Sequence, residues 1–448
     1  MFDDPAPPVG RREGALALVL AAASIAVLAW TARVPEAGAS WRLAFVGVHL
    51  LASGALILWL RRRAPTLGLV LLGAVFLRLV ALPMAPVLSD DGYRYLWDGA
   101  VVLEGISPYA MRPADPALAE LPATGLLAQM NSPEYYSVYP PASQAVFAIA
   151  AQGSTWRQQW VWLKVLLVGA ELLGVWLLLR LCGPRLGALY AWSPLAVIEV
   201  AGQGHTEGLV VGGLGLVLWA GRSRWPLASV GVTVAGLTKL YPFALAPAVW
   251  RRDGLPGVVV SIVLVAALSS LVWHPQAIAH VQESVALFFG TFDEYAGPYR
   301  LLKSVLYPVL GAGAGAAASG LLGVLFAVAV AASWVADDGR VPGLRCVLTV
   351  CVVGFAMTAS TLHPWYWLPV LWMIPLLESK PLLWLCALSS ATYLSYTTGG
   401  AGEWATLIGW GGAALLWARE IYARRTSPPT SSTASAVAER ASSHDASG

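Results

Sequence analysis

The sequence predicts an all-α, polytopic integral membrane protein, and three observations carry that expectation. Of 448 residues, 57% are hydrophobic and 12% charged, about half the charged share of an ordinary soluble domain, and the mean hydropathy is +0.65. Apolar runs of the ~20 residues that a crossing helix needs recur along almost the whole chain. The arginines stand in short clusters between those runs, the positive-inside pattern of membrane helices. The net charge of +3 says little about nucleic-acid or acidic partners, because the arginines are spent on this patterning; no nucleic-acid partner is expected.

Taken in order, clear runs lie near 14–32, 41–60, 66–84, 158–180, 185–201, 206–221, 255–273, 309–335, 342–361, 381–398 and 403–422. Shorter or interrupted ones lie near 139–152, 226–250 and 364–378, for about 12–14 segments in all. The first run follows Arg11-Arg12 and imitates a signal peptide, but the equally apolar chain behind it favours an uncleaved first helix. High Gly, Pro and Trp contents (44, 30 and 21) suit membrane helices and their interfacial anchors. Cys182, Cys346, Cys351 and Cys386 lie in or beside apolar runs without metal or redox spacing, and read as small apolar residues.

Three spans before the long loop at about 85–138 put Arg11-Arg12, Arg61-Arg62-Arg63, Arg251-Arg252 and Arg424-Arg425 inside and that loop outside. Between the loop and Arg251 two threadings share the same parity. In one, 139–152 crosses, 226–250 is a single kinked helix, and Arg180, Arg185, Arg222 and Arg224 face outside. In the other, 139–152 is re-entrant or lies along the membrane, and 226–250 breaks at Lys239-Leu240-Tyr241-Pro242, where proline can end a helix. The second obeys the charge rule and is preferred. It brings Gly204-His205-Thr206-Glu207, Lys239 and His363 to the side of the acidic loop and of a second outer loop at about 274–300. Polar groups at membrane depth are costly, so their convergence on one side suggests one site. The membrane domain spans 1–425, and the polar, low-complexity segment 426–448 reads as a disordered cytoplasmic tail.

The first loop opens at Ser89-Asp90-Asp91. As a helix with Ser89 at the N-cap, it places Asp91, Tyr95 and Asp98 along one face and pairs Asp90 with Arg94 on the neighbouring face. Helix capping and ordinary surface pairing account for part of this pattern. Asp98 is not needed for capping, and the Tyr and Trp density suits contact with sugars or lipid headgroups. The loop returns through Asn131, Glu134 and Tyr139-Pro140-Pro141, a pair of prolines able to start a helix.

Here a resemblance enters. The string Asp90-x-x-Tyr93-x-x-x-x-Asp98-Gly99, then Gly105-x-Ser107-Pro108-Tyr109, then Tyr139-Pro140-Pro141, resembles the first outer loop of polyprenyl-phosphate-dependent mannosyltransferases of the GT-C superfold. It is similar to bacterial α-mannosyltransferases of lipoglycan assembly in the cell envelope and to the first mannosyltransferase of GPI-anchor assembly. The later pieces Gly204-His205-x-Glu207, Lys239-Leu240-Tyr241-Pro242 and His363-Pro364-Trp365-Tyr366 extend it. One departure is Gly92, which stands where the GPI-type enzymes carry their second acid.

The resemblance implies a multi-pass plasma-membrane glycosyltransferase, its site on the extracytoplasmic face. The donor would be a sugar, mannose first, on a polyprenyl phosphate lying among membrane lipids, and the acceptor a glycan or glycolipid. An inverting single displacement needs a general base, for which Asp90, Asp91 or Asp98 stands at the right place. Leaving-phosphate and substrate contacts would come from Tyr93, Arg94, Tyr109, Tyr139, His205, Glu207, Lys239, Tyr241, Arg300, His363 and Tyr366. Several of these also have plain readings: Lys239 can snorkel from a helix end, His205-Thr206-Glu207 can be an N-cap, and His363 can sit at a turn. His274 and His280 beside Glu283 read as an ordinary amphipathic stretch. No cofactor is certain from the sequence; a divalent cation, Mg²⁺ or Mn²⁺, could bridge Asp90, Asp91 and the donor phosphate. The rivals are a transporter or flippase of lipid-linked sugars, which would also break its helices but duplicates its halves, and a polymerase or ligase without this acid role.

Overall fold

The computed structural model describes residues 5–31, 39–220, 226–291, 293–396 and 400–426. The preferred threading's Arg222 and Arg224, and the tail from 427, lie outside the described residues. Among those described, the chain is helical without strands, with isolated bridges only between Pro8 and Ala64 and between Glu294 and Thr361. This is an all-α polytopic membrane protein.

In chain order, α1 (Arg11–Thr31), α2 (Ala39–Arg62) and α3 (Leu67–Ala81) lead to the loop helix α4 (Asp91–Leu103). α5 (Pro141–Ala151) then precedes α6 (Trp156–Cys182), α7 (Pro184–Ala191) and the short α8 (Pro194–Ala196), which passes into a π-helical turn, Val197–Gly202. Next come α9 (Glu207–Ala220), α10 (Leu227–Gly236) and α11 (Ala246–Ser270). The amphipathic α12 (Ala277–Thr291) and α13 (Gly297–Leu310) precede α14 (Ala314–Ala336), α15 (Val341–Thr358), α16 (Leu368–Leu377), α17 (Lys380–Ser389) and α18 (Ala401–Thr426). Among the described residues, six helical stretches are long and apolar enough to cross a membrane unaided, and five shorter apolar helices accompany them. Several of the 12–14 expected segments are thus built from two short pieces. Large apolar side chains such as Leu51, Leu72, Val324 and Val335 point outward, as lipid contact requires.

The chain breaks near Pro242, where proline was expected to break it, and bends again at Gly254, which the sequence reading did not single out. α10 ends at Gly236, a 3-10 turn covers Tyr241–Leu245, and α11 follows, kinked at Gly254, whose φ is 65°. α5 begins at Pro141 with its preceding proline as cap. At the centre, α6, α9 and α10 approach backbone to backbone because glycines line their contacts. A Cβ on Gly212 would stand 2.5 Å from the Ala170 carbonyl oxygen, and one on Gly213 2.5 Å from that of Gly231. Small residues at such spacings let membrane helices pack closely enough for van der Waals attraction to hold them.

The two ends of the bundle differ in charge. At one end Glu13 pairs with Arg63, Arg185 donates to the Leu60 and Arg61 carbonyl oxygens at 2.8 and 2.9 Å, and Arg252 grips Asp337 at 2.5 Å. Arg185 therefore shares the end of Arg61-Arg62-Arg63, as in the threading that breaks 226–250. Between the ends, Arg78 and Glu171 form a fully buried two-pronged pair at 2.7 and 2.6 Å, completed by Tyr190 and by the Ala74 and Ala191 carbonyls. Every charged atom there has fixed partners, the condition for tolerating a buried ion pair.

Candidate active site

The other end gathers the acidic loop. Its entry segment, 82–90, has no regular structure of its own and is pinned from below. Lys164 of α6 donates to the Leu82 and Met84 carbonyls at 2.5 and 2.7 Å, and Trp160 Nε1 to Met84 at 2.8 Å. Gln203 accepts from the Val87 and Leu88 N–H groups at 3.1 and 2.9 Å. These bonds satisfy carbonyls left over at the end of α3 and fix where α4 begins.

α4 starts one residue later than expected. Asp90, not Ser89, is the N-cap, and Ser89 Oγ accepts from the Asp91 N–H at 3.2 Å. The expected Asp90–Arg94 pair is replaced by Arg94–Asp98 at 2.8 Å. Asp90 is turned instead to Asn131 of the returning loop, which donates to its Oδ1. Gly92 has a steric reason: a Cβ there would meet the Trp160 ring at 2.6 Å, so the second acid of the GPI-type loop has no room. Gly99 serves similarly, since a Cβ would stand 2.2 Å from the Phe147 carbonyl oxygen where α4 lies on α5.

Asp91 points into the bundle. Tyr95 Oη approaches its Oδ2 at 3.4 Å. Burial, then the negative charge of neighbouring Asp90, pushes the Asp91 carboxyl up to about 6, against the opposing pull of Lys239. Lys239 itself is 3.1 Å from Glu207 and lies 4.7 Å from the centre of the Tyr366 ring and 6.0 Å from that of Tyr139. Tyr139 meets Tyr95 edge-on at 4.9 Å. His205 and His363 each stack on Trp365, with ring centres 3.9 and 4.6 Å away and planes within 17°. Asp91, Tyr139, His205, Glu207, Lys239, His363 and Tyr366 are thereby brought together from five separate stretches of chain.

Other expected residues lie around this group rather than in it. Asp98 is 1% exposed, and beside Arg94 it accepts from Ser137 and from Gln144 at 3.0 Å, so both oxygens are engaged. Tyr93 stands part-exposed next to Asp90. Tyr109 ties the loop to its return, donating to the Tyr139 carbonyl at 2.6 Å. His280 contacts the Tyr109 carbonyl at 2.7 Å and stacks on Tyr136, while Glu283 pairs with Arg112; these residues join the two loops. Tyr241 stacks on Phe355 at 4.2 Å. Arg300, with Lys303, binds Asp293.

The sequence reading passed over Glu199 and Tyr393, which adjoin His205, and over Arg78, Lys164 and Glu171. Their signal was available, because an ionisable residue within an apolar run is by itself a candidate. For a divalent cation, Asp90 and Asp91 supply oxygens of the right kind, but among the described residues no three His, Cys, Asp or Glu groups converge. With Asp90 turned to Asn131 and Asp91 toward Tyr95, the two carboxylates form no ready-made pair; an ion of the Mg²⁺ type would take one of them and complete its shell with substrate phosphate and water.

Fold and site together define an all-α polytopic membrane protein with a carboxylate, an ammonium–carboxylate pair and stacked aromatic rings at one end of its bundle. A stretch of 101 residues is 34% identical to GPI mannosyltransferase 1 of the fungus Gibberella zeae, covering 20% of this chain and 24% of that protein. The similarity thus spans about a quarter of the relative's length. No family model and no solved structure matches the chain.

Proposed function

We propose that this protein is a GT-C glycosyltransferase that moves mannose from a polyprenyl-phosphate donor to a glycan or lipid acceptor on the extracytoplasmic face, with inversion and Asp91 as general base. The observation that carries this reading is the position of Asp91: a carboxylate raised toward neutrality, beside the half-buried Lys239 ammonium and a wall of tyrosines. A base titrating near the working pH is well matched to take a hydroxyl proton. Asp90 already accepts from Asn131 and Asp98 is saturated, which favours Asp91 among the three.

In the proposed step the acceptor hydroxyl gives its proton to Asp91 as its oxygen attacks the anomeric carbon. The bond from that carbon to the phosphate oxygen breaks, and the electron pair leaves with the polyprenyl phosphate. Lys239 and the His363 ring supply positive charge and hydrogen bonding for that leaving group. A cation held by Asp90 or Asp91 would supply further charge neutralisation at the phosphate. The similarity to GPI mannosyltransferase 1 supports mannose as the sugar. A transporter is less well supported: the buried charges at mid-bundle, Arg78 with Glu171, are saturated by fixed partners and offer no exchangeable site.

The test is transfer of label from radiolabelled polyprenyl-phosphate-mannose in membranes containing the wild type or Asp91→Asn. Absence of transfer by the wild type from any polyprenyl donor sinks the proposal.

A further inference from the structure

Glu199 has no part in the chemistry described so far. It sits in the π-helical turn Val197–Gly202, a wide turn of the kind often found at functional sites. The side chain is 1% exposed, where a carboxylate without partners would be costly. Tyr393 donates to both of its oxygens, at 2.9 and 3.0 Å. The His205 backbone N–H donates to the Glu199 carbonyl at 3.0 Å, and His205 Nε2 approaches Oε2 at 3.4 Å, just beyond a formed hydrogen bond. Such contacts commonly tighten when substrate closes a site. The ring is wholly buried and clamped flat against Trp365. Both ring nitrogens are enclosed and neither makes a hydrogen bond among the described residues; Nε2 has the Glu199 carboxyl as its near neighbour and Nδ1 has none.

We propose that Glu199 is a positioning residue: its Oε2 accepts the Nε2–H of His205 and leaves Nδ1 as a lone-pair acceptor for a hydroxyl of the sugar being transferred. The inference rests on the transferase reading above. A neutral imidazole has one donor and one acceptor nitrogen, and the partner of one decides the role of the other. Burial, reinforced by the neighbouring Lys239 and His363, holds the ring well below its ordinary pKa and so keeps it neutral. With that tautomer Nδ1 offers no proton to a phosphate oxygen. It matches a hydroxyl, whose hydrogen bond would satisfy an otherwise orphaned buried atom.

Two measurements on the full chain test this. The first is ¹⁵N–¹H NMR of histidine-labelled protein in lipid micelles, with the His205 signals assigned by His205→Asn. The wild type should show the Nε2–H tautomer. Glu199→Gln, whose amide can donate to Nε2, should shift it toward Nδ1–H. The second is transfer in membranes from mannosyl polyprenyl phosphate and its four monodeoxy-mannosyl analogues. One analogue should be slower than the parent by at least about 10-fold with the wild type, because a site built to bond a hydroxyl rejects its absence. Glu199→Gln should slow the parent donor by roughly 10- to 100-fold, as loss of a histidine's orienting partner does elsewhere, and cut that discrimination to less than about 3-fold.

An Nδ1–H tautomer in the wild type, or unchanged rate and discrimination in Glu199→Gln, overturns the inference alone. If Glu199→Gln fails to fold, the wild-type tautomer and the donor series still decide it, with Tyr393→Phe, which frees the carboxylate from its anchor, as the second variant. No transfer by the wild type from any mannosyl donor instead removes the transferase reading, and the tautomer measurement then judges the positioning role.

Discussion

Replacing Asp91 by Asn removes one proton acceptor and changes little else. Asn fills the same volume, and its amide oxygen can still accept from Tyr95 Oη, now 3.4 Å from Oδ2. If Asp91 is the base, the variant loses about 10²- to 10⁴-fold in kcat, the usual worth of a positioned base, while the KM for the donor stays within about 3-fold because phosphate and sugar contacts remain. The pH profile gives an independent reading. Burial, then the like charge of Asp90, lifts the carboxyl from 3.8 to about 6, with Glu207 adding to the rise and Lys239 and Tyr95 opposing it. Since the base works deprotonated, the wild-type rate rises with pH through about 6 and then levels. At pH 5 it should be about a tenth of the plateau, by the simple titration of one group.

Linkage fixes the expected stability. A carboxyl whose folded pKa lies above its unfolded value favours folding most below the unfolded pKa, and that contribution fades as pH rises through the folded one. At pH 7.5 the ionised, half-buried Asp91 therefore weighs against the fold, and Asp91→Asn should melt no lower than the wild type. The assay is initial-rate label transfer between pH 4.5 and 8, paired with a thermal melt, for the wild type, Asp90→Asn and Asp91→Asn. Asp90→Asn should lose less than about 10-fold, since Asp90 is already committed to Asn131. Retention of more than a tenth of the activity by Asp91→Asn, or a wild-type profile flat down to pH 4.5, refutes the assignment.

Lys239→Gln should abolish turnover and lower the melting temperature, because it strands the Glu207 carboxylate 3.1 Å away without a counter-charge. Adding Glu207→Gln should restore the melt but not the turnover, and recovery of both would show a purely structural pair. At mid-bundle, Arg78→Leu should destabilise by about 3–5 kcal/mol, the cost of breaking a buried pair, read as a lower melt in detergent and relieved by adding Glu171→Leu. For topology, in a Cys346→Ser background, Glu120→Cys on the first loop should react with an impermeant maleimide in intact cells. Arg62→Cys at the basic end should react only after permeabilisation, and the reverse pattern would invert the orientation.

The helices were legible because membrane solvation writes itself into local composition. A crossing segment must be apolar along its length, and the prolines at 140–141 and 242 mark where helices start or end, whereas the bend at Gly254 was not foreseen. The acidic loop was visible for the same reason, as polar residues in an apolar chain. Less was visible in the division of labour among its acids. Asp90, Asp91 and Asp98 look alike in sequence; only packing shows Asp98 spent on Arg94, Ser137 and Gln144 and Asp90 turned to Asn131. The i, i+4 rule allowed Arg94 to pair in either direction along α4, and burial against α5 decided for Asp98.

Glu199 shows the limit most clearly. Within Val197–Gly202 it is one acid among apolar neighbours, and nothing nearby says that His205 and Tyr393 will meet it. Sequence by itself determined an all-α membrane chain with an acidic loop, since hydropathy and helix breaking are properties of neighbouring residues. Which carboxylate faces Lys239, and which histidine nitrogen is left free, was decided only by tertiary structure, because burial and charge act through space between segments far apart in the chain.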